Sequence, residues 1–518
     1  MNLRLLRCSI ARRRFLLAPA LWFCAAAAAA QNPRTLLFVD DHDILYRAGT
    51  KRLLHPAVKH AQNPVIPADK PWELTIAYNT VHRDPVSGRY QMWYQAATSR
   101  SPEASAVCYA ESDDGVRWRK PALGLFPHGE IKETNIVLAP TAGRYCASVV
   151  FDPRDPDASR RYKLAHFEQI QRPDGTKPHG LAVAFSPDGI HWEKHPQSLL
   201  LRGSGGKSAA PPFAGDPVYD HASIAVAVAD VIDVLHDPVR GVFAIYSKTW
   251  TDGPDGKMFW KRAVARTESK DFVTWSAPQL VMMPDEFDGS GVEYLPPVGK
   301  VHPNRRGVQL HSGPVFWHEG AYFSLLQVMD GETTGEMPSE LAISRDGLNW
   351  QRPFRAKPFI DVTHRRADFD GGCIWSNSTP VVLEDEIRFY YGAYSGLWNG
   401  DLARSPTGIG LATVPRDRFA GVRPIETRGQ ITLKPIAVQA GASLTLNADA
   451  SAGSVRAELL TESGYRVRDF TEADAVPIAS DGLRHKLTWK NAGTPPAGSY
   501  LIRLHLEGAA EVFALTVN

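Results

Sequence analysis

The sequence predicts an all-β protein, a five-bladed β-propeller followed by a small C-terminal β-sandwich. Three observations predict this class. A short hairpin motif recurs four times, a turn-and-strand pattern recurs five times in phase with it, and the composition changes after residue 419. No stretch between the repeats carries helical periodicity. The expected organisation is a signal peptide over 1–30, a propeller over 31–425 and a sandwich over 426–518.

The hairpin motif begins with serine, turns at Asp-Gly and ends with tryptophan. Its copies span 112–118, 186–192, 269–275 and 344–350, with Asp-Phe at the third turn, and successive copies start 74, 83 and 75 residues apart. Glycine suits the turn because a tight hairpin loop needs a residue at positive φ. Tryptophan is large enough to close a small core between neighbouring sheets. Four copies at near-constant spacing indicate a repeat.

A turn followed by an alternating strand precedes each hairpin. The five turns begin at Asp84, Asp152, Asp237, His318 and Glu384, and the segment 410–419 replaces the hairpin in the fifth unit. Five units of about four strands each are typical of a five-bladed propeller. The predicted blades cover roughly 72–125, 134–201, 221–285, 308–358 and 368–420.

The regions outside the blades differ from them in pattern. Residues 36–46 form an apolar strand that runs into a pair of aspartates, and the Pro- and His-rich segment 47–71 is predicted to be irregular. After Phe419, short alternating strands at close spacing predict a sandwich of about 90 residues. This part contains no convergent set of histidines or carboxylates, so we expect a structural or glycan-docking role for it.

The first 30 residues have the pattern of a signal peptide. Three arginines, Arg12 to Arg14, precede an apolar run and an alanine run that ends at Ala30, so cleavage is expected near Gln31. A twin-arginine signal and an ordinary Sec signal are both open interpretations. We expect a periplasmic or secreted protein with no membrane contact after cleavage, because no other apolar run approaches the ~18 residues that a span needs.

Composition narrows the possible partners. A formal net charge of +2 gives no excess to attract polyanions, so no nucleic-acid partner is expected. Signal cleavage leaves Cys108, Cys146 and Cys373, which permit at most one disulfide and no cysteine-based metal site. We expect a monomer without a cofactor, and a structural Ca²⁺ in the channel stays an open alternative.

Polar residues on the innermost strands of a propeller converge on the central channel. Asp230 is the clearest candidate, since it interrupts an apolar run in which an unpaired carboxylate would be costly to bury. The aspartates after the first strand, Asp40 and Asp41, are expected to join it. The other positions on predicted inner strands are Trp72, Glu73, Tyr78, Asn79, Arg144, Tyr145, His221, Asp233, Gln309, His311, Ser312, Asp368, Asp370, Trp375, Ser376 and Asn377.

Carboxylates that converge in a funnel lined with aromatics suit glycoside chemistry. One carboxyl group must stay protonated to give its proton to the leaving oxygen, and another must stay ionised to attack carbon or activate water. The predicted catalytic residues are Asp41, Asp230 and Glu73. The predicted substrate-binding residues are Asp40, His42, Trp72, His311, Asp370 and Trp375, and no metal ligand is predicted.

Five motifs carry a resemblance to a known group of proteins. They are Phe38–Ile44, Pro71–Glu73, Tyr90–Tyr94, Tyr109–Trp118 and Gly410–Thr413. Together they resemble exported bacterial propeller proteins related to glycoside hydrolase families 32 and 43. The resemblance spans the mature chain, and it implies a five-bladed propeller with a C-terminal sandwich.

The resemblance carries over to this chain at only two candidate site residues. It implies Asp41 as base or nucleophile and Asp230 as the carboxylate of the third blade. Family 32 enzymes have Asn-Asp-Pro in the first blade and a Glu-Cys acid in the third. This chain has Asp40-Asp41-His42 at the first position and no Glu-Cys pair, so the acid is assigned to Glu73, with Glu293 as the alternative.

The leading hypothesis is an exported glycoside hydrolase that cleaves a plant or microbial polysaccharide or oligosaccharide. Two alternatives stay open. The missing Glu-Cys motif keeps a non-catalytic glycan-binding propeller in contention. A polysaccharide lyase would instead use His311 or a tyrosine to abstract a proton beside a uronate.

Overall fold

The computed structural model describes residues 33–100, 103–141, 144–170, 172–175, 178–197, 199–203, 226–251, 261–289, 307–331, 333–397 and 405–518. Within these ranges the predicted all-β class is confirmed. The described chain forms 35 strands in seven sheets, with one 3₁₀ turn at Ala158–Arg160 and no α-helix. Accordingly, this part of the protein contains no helix that is long and apolar enough to cross a membrane.

Five short strands open the described chain and form no sheet of their own. They are β1 (Arg34–Leu37), β2 (Ile44–Ala48), β3 (Thr50–Leu54), β4 (Val58–Lys59) and β5 (Ile66–Pro67).

Five antiparallel sheets follow in chain order. The first contains β6 (Thr75–Arg83), β7 (Tyr90–Arg100), β8 (Glu103–Ser112) and β9 (Ile136–Thr141). The second contains β10 (Arg144–Phe151), β11 (Tyr162–Gln169), β12 (His179–Ser186), β13 (Glu193–Lys194) and β14 (Leu201–Arg202). The third contains β15 (Ile232–Asp237), β16 (Val242–Thr251), β17 (Lys261–Ser269) and β18 (Gln279–Met282). The fourth contains β19 (Val308–Ser312), β20 (Val315–His318), β21 (Ala321–Asp330), β22 (Ser339–Ser344) and β23 (Trp350–Gln351). The fifth contains β24 (Cys373–Trp375), β25 (Val381–Val382), β26 (Glu386–Tyr394) and β27 (Thr407–Pro415).

Two predicted segments lie in different sheets from those expected. Strands β4 and β5 pair with β27, so the segment predicted to be irregular supplies the outermost strands of the fifth sheet. Strand β9 pairs with β8 and completes the first sheet, although its residues were predicted to open the second blade. Two-residue strands beside prolines carry no alternation for a sequence pattern to detect.

Side chains join each of the five sheets to the next, and the fifth sheet to the first. From the first sheet to the second, the Thr80 hydroxyl donates to Ala147 O at 2.6 Å. The other contacts are Val234 N to Ser148 Oγ (2.8 Å), Arg262 to Gln309 Oε1 (3.1 Å), Gln327 Nε2 to Ser376 Oγ (3.3 Å) and Asn377 Nδ2 to Asn79 Oδ1 (2.7 Å). The last of these contacts closes the series.

The repeated hairpin is a turn held by its own side chains. In the first copy, Ser112 Oγ accepts the N–H of Gly115, and Asp114 Oδ1 accepts two further backbone N–H groups. The glycines adopt positive φ as predicted, and Phe272 at the third turn does so too, at +66°. The turn glycine carbonyl also accepts from a neighbouring sheet, as Gly189 O does from Trp93 Nε1 at 2.6 Å. The motif therefore fixes the turn and joins two sheets.

The C-terminal strands form the remaining two sheets. They are β28 (Ala420–Pro424), β29 (Arg428–Leu433), β30 (Ile436–Val438), β31 (Leu444–Asp449), β32 (Gly453–Thr461), β33 (Asp481–Lys486), β34 (Gly498–Gly508) and β35 (Glu511–Val517). One sheet runs β3-β28-β35-β31-β33 with β1 beside β35, and the other runs β2-β29-β34-β30 with β32 beside β34. Strands β1, β2 and β3, in the part of the chain assigned to the propeller domain (31–425), thus pair with C-terminal strands instead. The core that these elements share includes Phe38, Leu446 and Leu504.

Candidate functional site

The five consecutive sheets have two distinct edges. Within each antiparallel sheet the strands alternate in direction, so the beginning of the first strand (β6, β10, β15, β19 or β24) and the end of the second share one edge; we call these five edges together the start face. The turns after the first and third strands lie at the opposite edge, the turn face, together with the hairpin motifs. Polar residues at the beginnings of first strands and the ends of second strands therefore share the start face.

An apolar cluster drawn from all five sheets lies toward the start face. We call it the aromatic floor; its members are Ala77, Tyr78, Cys146, Val231, Met329, Met337, Cys373, Trp375 and Tyr394. The ring centroids of Trp375 and Tyr394 are 4.2 Å apart, and those of Tyr78 and Trp375 are 6.3 Å apart. The predicted substrate-binding residue Trp375 thus lies among residues of every sheet.

Asp230 borders this floor as the residue before Val231. Its carboxylate forms an ion pair with Lys248 Nζ, and its backbone oxygen accepts from Cys146 Sγ at 3.1 Å. The Asp230 side chain is 36% exposed, whereas that of Lys248 is 7% exposed. The site therefore offers a carboxylate that solvent can reach, held in place by a buried cation.

His311 supplies a second titratable group beside the floor. Its Nδ1 lies 3.1 Å from Gln327 Oε1, and Gln327 Nε2 donates to Ser376. Because the amide nitrogen is used on Ser376, the amide oxygen faces the imidazole, so Nδ1 carries the proton and Nε2 keeps its lone pair.

The surroundings of His311 keep the imidazole neutral. Burial lowers its pKa well below the usual value, the cations Lys248 and Arg262 lower it further, and Asp230 opposes them. The guanidinium of Arg262 lies 4.5 Å from the centroid of the Trp250 ring and donates to Gln309. At neutral pH the site thus combines a carboxylate, a neutral imidazole and two cations.

A buried carboxyl group lies in β15, two residues after the floor residue Val231. Asp233 is 5% exposed, and its Oδ2 has no hydrogen-bond partner among the described residues. Burial raises the pKa of Asp233 to about 8, and this effect outweighs the hydrogen bond from the backbone N–H of Ser378, which lowers the pKa. Because of this raised pKa, Asp233 is protonated at neutral pH. The amide nitrogen of Asn79 is likewise buried, with no partner in the described chain.

The structure places the predicted acid Glu73 apart from Asp230. Its fully buried carboxylate accepts from Tyr94 Oη and Lys120 Nζ, each at 2.7 Å, and from the backbone N–H groups of Asp69 and Lys70. Four donors, one of them a lysine, already bond this carboxylate, so the structure uses it as a hydrogen-bond acceptor. Trp72, predicted to bind substrate, is instead a core residue of the first sheet, because its Nε1 donates to buried Asn135.

Asp370 lies near Glu73 and not beside Asp230. Its carboxylate accepts from Lys59 Nζ at 2.6 Å and Tyr391 Oη at 3.0 Å. Asp370 and Glu73 both line a cavity of about 800 Å³, formed by the segment after β4 and the segments that precede β6, β24 and β27. We call it the side cavity. Two of the predicted residues are thus brought together, in a place that the sequence did not indicate.

The predicted site residues that follow β1 lie at the turn face. Asp40 forms a two-point ion pair with Arg345 of the fourth hairpin motif, at 2.6 and 3.0 Å. Asp41 pairs with Arg52 and Arg47; burial raises its pKa, but the two arginines outweigh that effect and lower it. His42 beside them is exposed. Strand β1 pairs with β35, which directs these residues away from Asp230 and corrects the predicted convergence.

Several residues near the floor were missed by the sequence argument. Glu336 precedes the floor residue Met337, and its carboxylate accepts from Arg366 at 2.9 Å and pairs with His364 at 2.8 Å. Lys248 lies on the second strand and Arg262 on the third strand of the third sheet, whereas the channel residues were predicted on the first strands. The only available signal was a charged residue near the end of a predicted strand.

Two predicted positions, His221 and Glu293, lie outside the described residues. Among the residues that are described, no group of three or more His, Cys, Asp or Glu side chains could hold a metal ion.

Comparisons with known proteins concern the fold. No protein-family model and no curated protein matches the chain. An N-acetylgalactosamine deacetylase from F. plautii, solved with blood group B trisaccharide, is 17% identical over 71% of this chain and 96% of its own, with a TM-score of 0.43. A family 43 arabinoxylan arabinofuranohydrolase from Bacillus subtilis, solved with cellotetraose, is 12% identical over 89% and 98%, with a TM-score of 0.37. A family 32 β-fructofuranosidase from Bombyx mori is 9% identical over 89% and 93%, with a TM-score of 0.38. No residue role is carried over from them.

Proposed function

We propose that the protein is an exported glycoside hydrolase whose active site lies at the start face. One observation supports this proposal. A carboxylate that solvent can reach, Asp230, and a neutral imidazole, His311, lie beside an aromatic floor to which all five sheets contribute. Polar acid–base groups next to apolar rings suit a sugar, which presents hydroxyl groups at its rim and C–H groups on its faces.

The proposal includes an architecture. The five consecutive sheets are the blades of a five-bladed β-propeller, and the two other sheets form a β-sandwich. The contacts from each sheet to the next, and from the fifth to the first, support the propeller. A shared core between the last two sheets supports the sandwich. Residues 1–30 act as the export signal, so the mature protein should begin near Gln31 when its N-terminus is sequenced.

The proposed reaction assigns a role to each titratable group. Asp230, ionised beside Lys248, accepts a proton from a water molecule whose oxygen bonds to the anomeric carbon. His311 in its protonated form gives a proton to the glycosidic oxygen as the bond from that oxygen to the anomeric carbon breaks. One water is consumed, and solvent returns the proton from Asp230 to His311. Because the pKa of His311 is depressed, the donor form is populated in acid, and the rate should fall as pH rises.

A polysaccharide lyase is the second candidate, and one observation favours it. Neutral His311 keeps a lone pair on Nε2 and lies near two cations, Lys248 and Arg262. In a lyase, Nε2 would take the proton next to a uronate carboxylate and the cations would balance that carboxylate. The glycosidic oxygen would leave as a double bond forms and take a proton from solvent, and His311 would return its proton to solvent. The pH dependence then reverses, since the rate rises as His311 becomes neutral.

Product analysis distinguishes the candidates. The purified protein and its Asp230→Asn and His311→Gln variants are incubated with a panel of neutral and uronate-containing polysaccharides across a pH series. Hydrolysis releases reducing ends without new ultraviolet absorbance, and each substitution should lower kcat/KM by about 10²- to 10⁴-fold. An unsaturated product would identify the lyase. Tight binding without any cleavage would identify a glycan-binding protein, and full activity in both variants would overturn this site.

A further inference from the structure

We propose that the side cavity is a second carbohydrate site, which takes a short neutral saccharide. Its ligand class rests on the proposed function, but its location does not. The cavity volume of about 800 Å³ lies within the roughly 300–1,000 Å³ typical of small-molecule sites. Neither Asp230 nor His311 is among the residues that line this cavity.

The wall combines flat apolar surfaces with polar groups. Phe369 lies on one side, stacked on Tyr391 with ring centroids 6.2 Å apart and planes inclined by 21°. Pro64 and Pro67 contribute further apolar surface. The polar groups of the lining come from His60, Asn63, Thr363, Ser405 and Thr407. This mixture suits a sugar ring, because one face packs on apolar surface while the hydroxyl groups bond at the edge.

The charged groups of the wall are balanced inside the protein. Lys59 pairs with Asp370 at 2.6 Å, and Arg365 pairs with Asp368 at 2.6 Å. Glu73 pairs with Lys120 at 2.7 Å. Since each of these acidic groups already has a cationic partner, an anionic or cationic ligand would compete with an existing ion pair. A neutral ligand meets no such cost.

The wall is fixed in place before any ligand binds. Glu73 accepts the backbone N–H groups of Asp69 and Lys70, which holds the chain between β5 and β6. Asn63 donates to Leu411 O at 2.9 Å and accepts from Leu411 N at 2.8 Å, which holds the chain between β4 and β5 on the fifth sheet. A site already in shape loses little conformational entropy on binding. These buried contacts explain why acidic residues lie at a site that takes a neutral ligand.

Binding is measured in a variant that lacks the proposed catalytic base. Isothermal titration calorimetry is performed on Asp230→Asn with neutral tetrasaccharides (cello-, xylo-, arabino- and manno-oligosaccharides) and with oligogalacturonate. Ala367→Trp is then added, because Ala367 is exposed and lines the cavity, so the indole fills the cavity without disturbing the core. Ala473→Trp, an exposed alanine of the C-terminal part, is the matched control.

The expected result is that at least one neutral tetrasaccharide binds and that Ala367→Trp weakens its binding at least tenfold. Ala473→Trp should leave the affinity unchanged, and Phe369→Ala should weaken it about as much as the blocking variant. The proposal is overturned if no neutral oligosaccharide binds, if Ala367→Trp has no effect, or if only oligogalacturonate binds. None of these outcomes depends on turnover, which is lost with Asp230 only if the proposed function is correct.

Discussion

The aspartates of the turn face and those near the aromatic floor differ in how they are partnered. At the hairpin turns of Asp188, Asp271 and Asp346, burial raises the pKa, but hydrogen bonds from backbone and side chains outweigh it and lower the pKa to about 2. Asp233 shows the reverse, with a pKa raised to about 8 by burial. The same residue type is thus a structural acceptor in one region and a protonated acid in the other.

This difference shows why counting acidic residues does not locate a site. A turn aspartate is saturated by local donors and can do no further chemistry. Near the floor, by contrast, Asp230 combines a buried lysine with a solvent-accessible carboxylate, and Asp233 keeps one oxygen without a partner in the described chain.

The largest expected effect is on catalysis, and it separates the two regions directly. Asp230→Asn removes the proposed base and should lower kcat/KM by about 10²- to 10⁴-fold. Asp346→Asn, on the turn face, should leave kcat/KM within about twofold. Both are measured on whichever polysaccharide of the panel is cleaved. Equal losses in the two variants would mean that the difference between the aspartates near the floor and those at the turn face does not matter for catalysis.

The next effect concerns the pH dependence of stability. Between the ordinary carboxyl pKa of 3.8 and about 8, the unfolded chain has released the Asp233 proton while the native protein still holds it. Stability is therefore lost as pH rises through this window, by about 1.4 kcal/mol per pH unit. Asp233→Asn removes this dependence. The thermal midpoint of the variant minus that of the wild type should therefore be larger at pH 9 than at pH 5. Parallel pH curves for the two proteins would contradict the buried acid.

A smaller effect is expected at the turn face. Asp346 Oδ1 accepts the N–H groups of Leu348 and Asn349, each at 2.8 Å, so Asp346→Ala should cost about 2 kcal/mol of unfolding free energy at pH 7. Because its pKa is lowered to about 2, this stabilisation is present above the ordinary carboxyl pKa and disappears as pH falls through about 2. Urea unfolding across a pH series measures it.

Asp113→Ala is the control for that experiment. The Asp113 side chain is 69% exposed and pairs with Arg89 and Arg119 at 3.5 and 3.6 Å, and within the described chain it makes no hydrogen bond to the turn backbone. Its loss should change stability by less than about 1 kcal/mol. A loss equal to that of Asp346→Ala would show that surface charge, and not backbone bonding, stabilises the turns.

The smallest effect is expected at Asp41. This residue is 52% exposed and pairs with two arginines at the turn face, so Asp41→Asn should change stability by less than about 1 kcal/mol and kcat/KM by less than about twofold. Steady-state kinetics and thermal unfolding check both numbers. A hundredfold loss of activity in this variant would restore the role that the sequence resemblance implied.

The sequence predicted the parts of the fold that repeat. The Ser-Asp-Gly-Trp hairpins could be found because each turn imposes the same positive φ and the same donors, and the alternating strands around them identified the all-β class. The pairing of β4 and β5 with β27 could not be found, since each strand has two residues and prolines lie nearby. The pairing of β1 with β35 was equally hidden, because it depends on residues 480 positions away in the chain.

The candidate site was predictable only in part. Asp230 was identified because an unpaired carboxylate in an apolar run is costly to bury, and His311 because it lies on the predicted innermost strand of the fourth blade. Lys248 and Arg262 were missed because they lie on strands that were assigned to the interior of a blade. Glu73 and Asp370 were expected in the channel, but lysines that are remote in sequence, Lys120 and Lys59, hold them at the side cavity. Such partners follow from the tertiary fold and not from any local pattern.

The strands nearest the N-terminus find their partners among the last residues of the chain. During synthesis, β1 to β5 are made early, but β27, β28, β29 and β35, with which they pair, are made some 340 or more residues later. Until then these strands present unpaired edges, which favour association between chains. Removal of β1 to β3 or of β28 to β35 should therefore expose the same two sheets, and in a nascent chain these edges stay unpaired until β35 has been made.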